Sequence, residues 1–80
     1  MNKELFWNEL TEESKEMVRE WLSRYNGSDG VAGRVFELYE EGASSAGMSL
    51  DEYLDEITPN NYVKLCYENF LEREEYKNNF

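Results

Sequence analysis

Apolar residues recur along this chain at intervals of three and four, the spacing that lines one side of a helix. The middle of the chain shows it most simply. Val31, Val35 and Tyr39 fall four apart, and Ala32 and Phe36 fill the neighbouring column, while Glu37, Glu40 and Glu41 land on the opposite side. This predicts a central helix over Val31 to Tyr39, fenced by Gly30 and ended by Gly42. A helix that short is not stable alone, so other helices must cover its apolar face.

The same pattern predicts the remaining elements. Asn2 caps a short first helix from Lys3 to Leu10, with Phe6, Trp7 and Leu10 on one side. Thr11 caps a second helix to Tyr25, with Glu12 and Glu13 in its first turn, where carboxylates suit the helix dipole. Its apolar stripe is Met17, Val18, Trp21, Leu22 and Tyr25. Gly27 to Gly30 reads as a turn, with Ser28 or Asp29 as cap of the central helix. Gly33 inside that helix costs about 0.5–1 kcal/mol relative to alanine, which a closely passing backbone would explain. Gly42 to Gly47, GASSAG, reads as a flexible loop of small residues.

Beyond that loop, Ser49 and Glu52 form a capping box, with Met48 and Tyr53 at the two positions of a hydrophobic staple. The helix they start presents Leu50, Tyr53, Leu54 and Ile57 on one face. Thr58-Pro59 ends it and begins the last helix, with proline at the first helical position. Tyr62, Val63, Cys66, Tyr67, Phe70 and Leu71 form a wide stripe there. This helix is expected to reach about Glu75, with Tyr76 to Phe80 fraying. No strand-like alternation, repeat or linker interrupts the pattern. The expected fold is all-α: a small single-domain bundle of four main helices plus a short N-terminal one, spanning residues 1–80.

Length limits what such a bundle can hold. Eighty residues bury only about 60–65% of the surface exposed on unfolding, which leaves no room for a core and a deep walled active site. The chain has no histidine and one cysteine. The commonest general acid–base is therefore missing, and zinc-type sites lack ligands. Cys66 lies within the last apolar stripe and reads as a small core residue. The carboxylates lack the alternating spacing and glycine of a calcium loop. The expectation is no catalytic residue, no metal and no cofactor. The lone cysteine, the absence of a long apolar run and a start without signal-peptide character point to a cytoplasmic protein.

Charge changes the picture most. The net charge of −10 argues against binding nucleic acid or an anionic membrane directly and favours a basic protein partner. The acid is concentrated. No Lys or Arg occurs between Arg34 and Lys64, a stretch that holds Glu37, Glu40, Glu41, Asp51, Glu52, Asp55 and Glu56. Several of these repel one turn apart, at about 0.2–0.5 kcal/mol per pair. Glu40, Glu41, Asp55 and Glu56 also fall near expected helix ends, where negative charge opposes the dipole. The outer helices, by contrast, carry Arg19, Arg24 and Arg73, with Glu20 four residues before Arg24. A local rule broken in the middle of the chain marks those seven carboxylates as candidate partner-binding residues.

In size, charge and helical character the chain is similar to the small acidic DNA-mimic inhibitors that phages make against restriction, CRISPR and other nucleic-acid-handling proteins. That resemblance implies a non-enzymatic inhibitor or regulator presenting carboxylates to the basic surface of a nucleic-acid-binding protein. No motif residue carries over. A different reading keeps the acid for solubility alone and makes the chain a helical interaction or self-association module that docks through apolar and aromatic surface. Trp7, Tyr62, Tyr76 and Phe80 are the candidate anchors for it.

Overall fold

Four helix starts form as their capping chemistry requires. The Asn2 side chain accepts from the Leu5 amide at 3.0 Å, Thr11 from Ser14 at 3.1 Å, Ser49 from Glu52 at 3.2 Å and Thr58 from Asn61 at 3.3 Å. The computed structural model describes the backbone of residues 1–26 and 30–78 and the side chains of 1–24 and 30–74. Within them run α1 (Lys3–Glu9), α2 (Glu12–Asn26), α3 (Val31–Ser45), α4 (Leu50–Glu56) and α5 (Pro59–Asn78), with no strand among the described residues. The protein is an all-α bundle in which the short N-terminal helix does form.

The central helix organises the packing. α2 lies against α3 and α5, α1 against α3 and α5, and α4 chiefly against α3. Phe6, Leu10, Val18, Leu22, Val31, Val35, Tyr39 and Val63 form the core. Tyr39 is fully buried at its centre. Its ring lies 4.9 Å from Phe6 of α1, 4.9 Å from Tyr53 of α4 and 5.1 Å from Tyr62 of α5. Each such tilted or edge-on pair adds roughly 0.5–1.5 kcal/mol beyond its buried area. One side chain of α3 thus joins three other helices. Tyr39 donates its hydroxyl to the Ile57 carbonyl at 2.7 Å, and Tyr62 donates to the Leu38 carbonyl at 3.0 Å. Tyr62 is therefore half-buried against the core with its hydroxyl engaged, not a free anchor.

The structure corrects several boundaries. Gly42 does not end α3, and Gly42 to Ser45 is helix rather than loop. Gly42 makes room for Tyr53: a Cβ there would lie 2.8 Å from the Tyr53 hydroxyl, so the ring would have to shift. The helix stops instead at Gly47, in the left-handed region at φ 71°. There the Met48 amide donates to Ala43 and the Gly47 amide to Ser44, the paired bonds of a Schellman end.

Gly33 has no backbone beside it; nothing lies within 4 Å of a Cβ at that position. The N-cap of α3 is Gly30, with no side-chain hydrogen bond, and Ser28 and Asp29 lie outside the described residues. In the capping box, Glu52 accepts from the Ser49 hydroxyl rather than from its backbone amide. α5 continues past Glu75 to Asn78. Of its wide stripe, Val63 and Phe70 are buried while Leu71 is 41% exposed. The side chains of Tyr25 and Tyr76, and Phe80 altogether, lie outside the described residues.

Candidate protein-binding surface

All seven predicted carboxylates are exposed. On α3, the i, i+3, i+4 spacing of Glu37, Glu40 and Glu41 brings them together around one shallow hollow, completed by Ser44. Asp51, Glu52, Asp55 and Glu56 ring the solvent side of α4, opposite the half-buried Tyr53, Leu54 and Ile57, and do not line that hollow. The seven therefore form two groups on neighbouring helices.

Two parts of the electrostatic argument change. Because α3 extends to Ser45, Glu40 and Glu41 lie before its last turn and do not oppose its dipole there. Arg34 also compensates part of the acid. Its Nη1 is 3.2 Å from Glu37 Oε2 and 3.9 Å from Glu41 Oε1. The signal was present in the sequence, since Arg34 precedes Glu37 by one turn. At α4 the conflict stands: Asp55 and Glu56 end the helix, and no basic residue occupies its last turn. No ion pair reaches the four carboxylates of α4 from a Lys or Arg among the described residues.

On α2 the cations find carboxylates. Arg19 bonds Glu16, and Lys15 bonds Glu12. Both cations lie over the half-buried Trp7 ring, at 5.6 and 5.8 Å from its centroid. Glu20 does not pair with Arg24. It accepts the Tyr67 hydroxyl from α5, and that bond raises the Tyr67 pKa. Arg24 instead reaches Glu74 at 3.0 Å and lies over Phe70.

Two recesses escaped the sequence reading. One, of about 400 Å³, runs between α1 and the start of α3, bounded by Trp7, Asn8, Gly30 and Gly33. A Cβ at Gly30 or Gly33 would meet nothing within 4 Å. A smaller one holds Cys66 with Trp21, Asn69 and Arg73. Burial pushes the Cys66 thiol up, with an opposing contribution from Tyr62, and a raised thiol is a poor nucleophile at neutral pH. Among the described residues no three His, Cys, Asp or Glu side chains converge to hold a metal ion. No helix among them is long and apolar enough to cross a membrane. Compared with protein-family models, curated proteins and solved structures, the chain matches none of them.

Proposed function

We propose that this chain is a non-enzymatic inhibitor or regulator that docks its carboxylates on the basic surface of a nucleic-acid-binding protein in the cytoplasm. The observation that supports this reading most is the state of α4. Four carboxylates stand exposed within seven residues, and none forms an ion pair with a Lys or Arg among the described residues. On other helices, by contrast, Arg19 holds Glu16, Arg24 holds Glu74 and Arg34 holds Glu37. Helical carboxylates one turn apart are sparser than duplex phosphates, which offer roughly one charge per 1.7 Å of axis. They nonetheless place several charges on a rigid support, suited to a groove shaped for phosphates.

The test is capture of partners from bacterial lysate by the tagged protein, at low and high salt and with competing DNA. A basic nucleic-acid-binding protein retained at low salt, released by salt and displaced by DNA is the expected result. Reversing Asp51, Glu52, Asp55 and Glu56 to lysine should abolish that capture while the circular dichroism of the bundle persists. A folded variant that still captures the same partner refutes the reading.

The second reading, apolar docking or self-association, has one observation in its favour: Leu65 and Leu71 of α5 are 50% and 41% exposed. It predicts association that resists salt and survives the four reversals.

A further inference from the structure

We infer that α4 is a flap that opens as a unit over the Tyr39–Tyr62 aromatic pair, and that neutralising its own carboxylates closes it. The inference rests on packing and charge and stands whether or not the proposed partner exists.

Little holds α4 shut. None of its residues is buried. Seven residues are too few to remain helical without support. The support consists of half-buried Leu50, Leu54 and Ile57 on the core, the Tyr53 ring seated in the notch left by Gly42, and the bond from the Tyr39 hydroxyl to the Ile57 carbonyl. Both ends suit a hinge. Gly47 precedes α4 in a left-handed conformation, and Ile57 leaves it extended at φ −145° and ψ 122°.

Charge within α4 works against the closed state. Asp51 faces Asp55 and Glu52 faces Glu56 one turn apart, and the last two also meet the negative end of the helix dipole. The exposed carboxylates of the neighbouring α3, Glu37, Glu40 and Glu41, have the same sign, and Arg34 is engaged by Glu37 and Glu41. Unwinding of α4 as it opens relieves the repulsion within the helix and uncovers Tyr39, which is otherwise fully buried. Local openings of this kind appear as faster amide exchange confined to one segment.

The experiment is hydrogen exchange on the whole chain, read by segment and corrected for intrinsic rates. At about 10 mM salt, amides of Tyr53 to Ile57 should exchange at least about tenfold faster than those of Val35 to Tyr39. Raising sodium chloride to about 0.5 M cuts the screening length from roughly 30 Å to under 10 Å and should narrow that ratio several-fold. Asp55→Asn with Glu56→Gln should narrow it at low salt. Tyr39→Phe, which removes the bond to Ile57, should speed exchange in α4 and leave α2 unchanged. Equal protection of α4 and α3 overturns the inference. So does a ratio indifferent to both salt and the Asp55/Glu56 substitutions, or a Tyr39→Phe effect spread evenly over all helices.

Discussion

Asn60 bonds across the bundle to a junction it is far from in sequence, and truncating it tests how much that junction contributes. Its Oδ1 accepts from the Thr11 amide at 2.9 Å, and its Nδ2 donates to the Glu9 carbonyl at 3.1 Å. One side chain of α5 therefore satisfies the backbone on both sides of the α1–α2 corner. Two net hydrogen bonds at about 0.5–1.5 kcal/mol each give a loss of about 1–3 kcal/mol in Asn60→Ala. Alanine is a better helix former and returns up to about 0.6 kcal/mol, for a net cost of about 0.4–3 kcal/mol. Asn61→Ala is the control. Its exposed side chain receives the same propensity gain, so its stability should stay level or rise slightly. Each kcal/mol shifts Tm by about 4–8 °C in a domain of this size. Thermal and urea unfolding of the two variants, followed by circular dichroism, measure the difference. Asn60→Ala matching Asn61→Ala within about 0.3 kcal/mol would refute the assignment of stabilising bonds at this corner.

Two further outcomes follow from the packing. Gly33→Ala meets nothing within 4 Å and should stabilise the chain by about 0.5–1 kcal/mol, whereas Gly42→Ala must displace Tyr53 and should be less stable than Gly33→Ala by about 1 kcal/mol or more in the same melts. Burial raises the Tyr39 and Tyr62 pKa values, so the folded chain keeps these phenols neutral where the unfolded chain loses their protons. The unfolded state then binds fewer protons than the native state above about pH 10, the ordinary tyrosine value. Stability is fully present below that pH and should fall as pH rises beyond it, with Tyr39 and Tyr62 ionising only as the chain unfolds. Phenolate absorbance and far-ultraviolet circular dichroism, titrated together, should show these phenols and the helices changing in one transition. Phenolate formation at every tyrosine before any loss of helix would contradict the burial argument.

What the sequence made legible was local. Asn2, Thr11, Ser49 and Thr58 each act on an amide three residues ahead, and all four helix starts form where those residues stand. The apolar columns of α3 were equally plain, because a helix repeats its face every turn. Gly42 misled because glycine serves two purposes: it stops a helix when φ must be positive, and it admits a neighbour when a side chain would not fit. Only the position of Tyr53 distinguishes them. Arg34 was visible one turn before Glu37, yet its reach to Glu41 depends on α3 continuing past Tyr39. The bonds of Asn60 to Glu9 and Thr11 had no local signal at all. For the acidic surface, exposure of each carboxylate followed from periodicity, while their division into an α3 group and an α4 group depended on where each helix sits.

The cross-bundle bonds of Asn60 also bear on the order in which the molecule can assemble as it is made. Asn60 and Glu9 are separated by 51 positions, and α1 packs on α3 and α5, with Phe6 and Leu10 in one core cluster with Val63. A ribosome adding about 5–20 residues per second needs roughly 3–10 s to cross such an interval. Throughout it Phe6 and Leu10 lack the α5 surface that seals them. α1 leaves the ribosome before α5 and must wait for it before its apolar face is closed, which exposes Phe6 and Leu10 to a chaperone on the nascent chain.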